Sequence, residues 1–168
     1  HTIDLMADFS QRSLFVFNKE NVRVTLNNLS IVNGYTNDPA YPIISLIKHV
    51  YLNLNYVNIS NCRSPSNQPI IEAKSGGPSV NLYLNVKNSI FTNNAVGGIF
   101  SENLINSNIE QNLFLNNSNI FKINSWDSIN IRYNIFIGNP SLFKYQFRPI
   151  WEMGEVKGNY FGTNDTKI

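Results

Sequence analysis

The sequence predicts an all-β fold, a parallel β-helix (solenoid) of about six coils with three short strands per coil. Three columns of recurring residues carry that expectation. Ile31, Ile59, Phe91, Phe114, Phe136 and Phe161 recur at intervals of 22 to 32 residues, a period typical of stacked-coil proteins. Five positions before each anchor stands an aliphatic residue: Leu26, Leu54, Val86, Ile109, Ile131 and Val156. Two positions after each anchor the residue is small or polar: Asn33, Asn61, Asn93, Asn116, Gly138 and Thr163. Agreement of three columns across unequal spacings marks a repeat.

Residues 1–8 read as an incoming strand and turn, and Ser13 to Phe17 as a β-rich run. Val22 to Leu26 alternates strictly with period two, as a half-buried strand does. Leu29 and Ile31 continue it past the Asn27-Asn28 bend. Gly34 to Pro42 is a loop by its Gly, Asn, Asp and Pro content. Ile43 to Ile47 and Val50 to Leu54 repeat the strand pattern, and Ser64 to Pro69 is a polar excursion. Ser75 to Ser79 and Gly97-Gly98 are read as turns around the clean alternation of Val80 to Val86. From Phe91 onward the coils tighten to 23 and 22 residues, room for three short strands and three turns. No helix is predicted, because runs are short and β-branched residues and Asn are frequent. A leucine-rich repeat fits less well, since Val57 stands where its frame wants Asn. At the strand spacing of a parallel sheet, six coils make a rod about 30 Å long.

Asn makes up 29 of the 168 residues. Its amide supports left-handed corners and turns, and stacked copies can bond from layer to layer. Asn112, Asn134 and Asn159, two positions before successive anchors, are expected to form such an internal ladder. Phe91, Phe114, Phe136 and Phe161 are expected to stack beside it.

With 42% hydrophobic and 14% charged residues, the chain is ordered, a single domain over residues 1–168. Its net charge of +2 is scattered, which excludes the basic footprint of a nucleic-acid binder. No window has the ~20 apolar residues of a membrane helix, so no membrane insertion of this segment is expected. Cys62 is alone, excluding an intrachain disulfide, and is read as a buried, inert thiol. No metal and no cofactor is expected. His1 opens the sequence without a Met, so a segment of something longer, with flanking domains, is expected.

Chemistry finds little footing. A glycosidase needs two carboxylates facing each other across the scissile bond. Asp127 and Glu152, at the same column in successive coils, are the best available pair and are read as solvated turn residues. Glu110 shares a column with Lys87, Arg132 and Lys157, an exposed, charge-compensated row. His49 precedes a strand and is read as a surface or turn imidazole. No catalytic residue is assigned. Binding fits better. Tyr145, Arg148, Trp151 and Glu152 are the densest set able to hold a sugar, although closure of the last coil's core by Phe143, Phe147 and Trp151 is the favoured reading of that stretch. Tyr35, Asn37, Asp38 and Tyr41 form a second, weaker patch. Four glycosylation sequons begin at Asn28, Asn58, Asn116 and Asn164, and Asn116 is expected to be inaccessible in a tight turn.

The phrases His1-Thr2-Ile3-Asp4 and Val24-Thr25-Leu26-Asn27-Asn28-Leu29-Ser30-Ile31-Val32-Asn33-Gly34 resemble the opening of adhesin-like, right-handed parallel β-helix proteins of methanogenic archaea, within the pectate-lyase-like superfamily. Gly158-Asn159-Tyr160-Phe161-Gly162-Thr163-Asn164 resembles their closing phrase, with Tyr160-Phe161 in place of a Trp pair. A Gly-Gly-Ala-Ile-like phrase that the family carries after the position of Gly34 is missing here. The resemblance implies right-handed coiling, an extracellular, surface-anchored location, and glycans or partner-cell surface molecules as partners. A passive display stalk and a carbohydrate-active enzyme (lyase or glycoside hydrolase) are the alternatives.

Overall fold

In the computed structural model, which describes residues 1–5, 13–35, 42–73, 82–101, 104–123, 126–141, 143–145 and 154–162, the alternating stretches are strands and the Asn-rich pairs between them are corners. A first strand, β1 (Thr2–Asp4), precedes six coils of three strands. The coils are β2 (Phe15–Phe17), β3 (Val22–Asn27) and β4 (Ser30–Val32); β5 (Ile44–Leu46), β6 (Val50–Asn55) and β7 (Asn58–Ser60); β8 (Pro69–Ala73), β9 (Leu82–Lys87) and β10 (Ile90–Thr92); β11 (Gly98–Ser101), β12 (Leu104–Glu110) and β13 (Leu113–Leu115); β14 (Phe121–Ile123), β15 (Trp126–Arg132) and β16 (Ile135–Ile137); β17 (Phe143–Tyr145), β18 (Val156–Lys157) and β19 (Tyr160–Phe161). No helix occurs among the described residues.

Every third strand joins the same sheet. The seven-stranded anchor sheet runs β1-β4-β7-β10-β13-β16-β19, the long sheet β3-β6-β9-β12-β15-β18, and the third sheet β2-β5-β8-β11-β14-β17. All three are parallel. Ile31, Ile59, Phe91, Phe114, Phe136 and Phe161 pair in succession in the anchor sheet. Leu26, Leu54, Val86, Ile109, Ile131 and Val156 do the same in the long sheet. The sequence columns are thus the register of the sheets.

The corners explain why Asn is so abundant. Three positions before each anchor the backbone is left-handed, at Asn28, Tyr56, Asn88, Gln111, Tyr133 and Gly158; two positions after it is left-handed again, at Asn33, Asn61, Asn93, Asn116 and Gly138. Asn visits this region at lower cost than other side chains because its amide can bond locally. At Gly138, with φ +66°, a Cβ would also run into the Asn116 amide oxygen. Each three-residue anchor strand is therefore held between two sharp corners and points only its middle side chain inward. Gly98 departs from the expected turn, since it opens β11. Gly97 before it lies against the preceding coil, where a Cβ would strike the Asn67 carbonyl.

The core is built from stacked rows. Phe91, Phe114, Phe136 and Phe161 lie with ring centroids 5.0, 4.9 and 5.3 Å apart and planes within 9°. Phe100 meets Phe91 edge-on at 5.5 Å and continues to Phe121 at 5.6 Å. Such aromatic pairs add about 0.5–1.5 kcal/mol each beyond burial.

Two buried amide rows flank the Phe stack. On one side the Asn112 amide donates to Asn134 Oδ1 at 3.0 Å, and that of Asn134 to Asn159 Oδ1 at 3.0 Å. The same oxygens accept the backbone N–H of the preceding coil, and each amide also donates to a carbonyl, Val86, Ile109 or Ile131. Ser89 continues this row, taking a bond from the Val57 N–H at 3.1 Å. On the other side Asn94 donates to Asn117 Oδ1 at 2.8 Å and Asn117 to Asn139 Oδ1 at 3.0 Å. Cys62, earlier in this row, donates its N–H to Asn94 Oδ1 at 3.0 Å. This second ladder, three positions after the anchor, was not anticipated from the sequence.

One irregularity matters for the surface. β12 carries an extra residue between its pairs with Leu82 and Asn85 of β9, a bulge at which Asn106 is left-handed and exposed. Ser107 Oγ accepts the Leu84 N–H there at 3.0 Å.

Asn117→Ala removes four buried hydrogen bonds and is expected to lower stability by about 3 kcal/mol, whereas Asn130→Ala on the outer face should cost under about 1 kcal/mol. Urea unfolding of both variants checks this; equal losses would show that burial of the ladder is not what gives it weight.

Candidate functional site

Among the described residues the interior is filled by stacked side chains, so the site sought among them lies on an outer face. The long sheet has the most featured one. Along β6 Val50, Leu52 and Leu54 point inward and are buried, while Tyr51, Asn53 and Asn55 point outward. The period of two repeats this division in β3 and β9 and, over residues 107–110 and 129–132, in β12 and β15.

Outward residues then align into three rows. In the first, the Tyr51 and Tyr83 rings stack at 4.3 Å and 10°, and the Arg23 guanidinium lies 4.8 Å from the Tyr51 centroid on its other side. Cation–π contacts at exposed sites contribute about 0.5–1 kcal/mol, enough to order the Arg23 head group over the ring. With those ring faces occupied, solvent meets ring edges and phenol hydroxyls, repeated coil by coil. This row ends at the β12 bulge.

The second row is Thr25, Asn53, Asn85, Asn108 and Asn130. Here Asn85 donates to Asn53 Oδ1 at 3.4 Å and Asn130 to Asn108 Oδ1 at 2.9 Å. The third begins with amides, Asn55 donating to Asn27 at 3.3 Å, and turns ionic further along. Arg132 bridges Glu110 at 3.1 Å and Glu155 at 3.2 Å, and Lys157 lies 3.8 Å from Glu155. Exposed pairs of this kind contribute little stability, but they hold their head groups in place. The face as a whole is a ribbon of fixed amides, phenols and paired charges, suited to hydrogen-bonding a polyhydroxylated chain.

The residues singled out beforehand lie elsewhere. Tyr35 is half-buried beyond the first coil's anchor strand, joined to Arg63 by a single parallel bridge. Tyr145 ends β17 opposite Ile123 in the sixth coil, so these two belong to opposite ends of the stack. Arg148, Trp151, Glu152 and Asp38 lie outside the described residues, as does Asn164. Asp127 follows Trp126 in β15, paired with Ile105, and its expected partner Glu152 lies outside the described residues. His49 is half-buried just before β6.

Among the sequons, Asn28 and Asn116 are exposed at left-handed corners and Asn58 is half-buried. Asn116 corrects an expectation. The tight turn is there, but it sends this side chain outward and only the following Asn117 inward.

No group of three or more His, Cys, Asp or Glu able to hold a metal occurs among the described residues. Nor is there, among them, a helix long and apolar enough to cross a membrane. Comparison with protein-family models, curated proteins and solved structures finds nothing that matches this chain.

Cys62 is fully buried. Desolvation pushes its thiol up from 9.0 to about 11, partly offset by a hydrogen bond with the Gly34 backbone. A folded-state value above the unfolded one stabilises the fold below pH 9, and that contribution is lost as pH rises towards about 11. It amounts to about 2–3 kcal/mol. Between those pH values the wild-type chain should lose stability more steeply than Cys62→Ala in chemical denaturation; parallel curves would mean the thiol does not couple to folding.

Proposed function

We propose that this chain is an adhesin-like β-helix segment of an extracellular, surface-anchored protein, which binds glycans along the outer face of its long sheet. The observation that carries the reading is the Arg23–Tyr51–Tyr83 stack beside the Asn53–Asn85 and Asn108–Asn130 amide pairs. Sugar chains present hydroxyls at intervals close to one coil, and the phenol hydroxyls, amides and guanidinium group of this face can hydrogen-bond them. The rows here hold such groups in register over several coils. The similarity of the opening and closing phrases to archaeal adhesin-like β-helices supports the surface location.

A stalk is the second reading. It is favoured by the two buried amide ladders, which tie neighbouring coils and suit a rod that displays other domains. Both roles are compatible in one molecule. The carbohydrate-active enzyme reading is not favoured by the described carboxylates, since Glu110 and Glu155 are both bridged by Arg132, and it stands as an outcome of the test.

That test is binding of the purified chain to a broad glycan array, with and without calcium. Tyr83→Ala and Arg23→Ala should each weaken a captured glycan by about tenfold, with far-UV spectra unchanged, and Trp151→Ala should leave it bound. Silence across the array would sink the binding role and leave the stalk. Loss with Trp151→Ala alone would move the face to the last coil, and cleavage of the bound glycan would replace adhesion by catalysis.

A further inference from the structure

The outer face of the anchor sheet changes character half-way along the rod. Each anchor strand shows two side chains outward, one on either side of the buried middle residue. In the first two coils these are Ser30, Val32, Asn58 and Ser60. From β10 onward they are Ile90 and Thr92, Leu113 and Leu115, Ile135 and Ile137, then Tyr160. Tyr133, at the corner, joins their edge. No charged residue stands in these outward columns from β4 to β19, in contrast to the ionic rows of the long sheet.

Stacking along the columns covers part of each side chain, but much remains in water. Ile90 is 43% exposed, Ile135 43%, Ile137 39%, Tyr133 53% and Tyr160 58%, with half-buried Leu113 and Leu115 between them. Together they leave on the order of 500 Å² of apolar side chain exposed, near the upper limit for the largest patch on an ordinary monomer. Aliphatic residues rimmed by Tyr and free of charge are what interface centres are made of.

We propose that this half of the anchor sheet is a self-association face, on which a second copy of the chain packs sheet to sheet. The occupant must be flat, uncharged and apolar over four strands. A second copy meets each condition, and its rows share the same spacing, so the side chains can interdigitate across the ~10 Å gap of packed sheets. Two such patches together bury on the order of 1,000 Å², the lower limit for a specific contact and the range of weak, reversible ones.

The polar half sets the orientation. A parallel pair would lay Ser30 and Asn58 of one copy on those of the other and dehydrate them. An antiparallel pair, with its dyad along the strand direction between β13 and β16, overlaps only the apolar coils. Leu113 then faces Ile135 of the second copy, and the first two coils of each project into water. The inference of this interface does not rest on the glycan-binding reading.

Sedimentation equilibrium of the full 168-residue chain from micromolar to millimolar concentration tests the proposal. A reversible monomer–dimer equilibrium is expected. Ile135→Lys and Leu115→Lys, both outward-facing, should each weaken it by at least about tenfold, while Val32→Lys on the polar half leaves it unchanged. Far-UV spectra check that the variants fold, and either of the two lysine variants suffices. Scattering should show the dimer longer than the monomer by the three overhanging strand layers β1, β4 and β7, roughly 14 Å. A chain that stays monomeric at millimolar concentration, a dimer indifferent to both lysines, one equally lost with Val32→Lys, or one no longer than the monomer would each overturn the proposal.

Discussion

The structure depends on one constraint: a polar group carried into the core of a coil must be satisfied by the coil above or below it. An unpaired buried amide costs roughly 1–3 kcal/mol, and here the amides escape that cost by repetition. Asn134 is bonded on both sides because its neighbours in the row are Asn112 and Asn159. The Asn94–Asn117–Asn139 row follows the same rule. Between the rows the Phe rings obey the apolar version of it, each filling the gap left by the last. Where a row changes residue, the bonding partner changes with it: Ser89 Oγ and the Cys62 N–H take the places that Asn holds in later coils. A coil is therefore stable only as a member of the stack, the nearest-neighbour behaviour of solenoids.

That constraint also decides where coil length is free to vary. From the left-handed residue before the anchor strand to the one after it, every described coil has the same length. A shift of one residue there would turn an inward amide out and strand a partner. Differences in repeat length accordingly fall outside this stretch. The β12 bulge is a small instance, in which the extra residue at Asn106 is absorbed on the outside while Ser107 Oγ repairs the inner bonding.

Legibility followed the same division. Columns counted from the anchors give the register of two sheets directly, because an inward position tolerates only a narrow choice of residues. The third sheet is harder to read. Its distance from the anchor varies with the connecting segments, so the Phe100–Phe121 row has no constant offset. The second Asn ladder was visible as a column, Asn94, Asn117 and Asn139, but beside Gly34 and Cys62 it looked heterogeneous. The aromatic face is hidden in the sequence for a different reason. Arg23, Tyr51 and Tyr83 stand eight positions before their anchors, one to a strand and inside otherwise ordinary alternation, whereas the segment around Trp151 concentrates its aromatic residues in one stretch. In a solenoid, an outward row is formed by stacking, and residues far apart in sequence become a surface only after the register is applied.

Because the inside is specified by stacking, the outside of each sheet can diverge without disturbing the fold. The long sheet carries phenols, amides and ion pairs, whereas the anchor sheet carries aliphatic rows over its later coils. The two faces meet at the corner before each anchor strand, where Tyr133 stands exposed. In the proposed antiparallel dimer the strands of both copies run in the same direction. The edge at which an anchor strand begins, and hence the adjoining long sheet, then lies on the same flank in both molecules. Two ribbons of hydrogen-bonding groups would face one surface together. Weak contacts to a repetitive glycan would be strengthened by the high effective concentration of the second ribbon once the first has bound. A face too small for tight dimerisation would become more populated on such a surface, since each event favours the other.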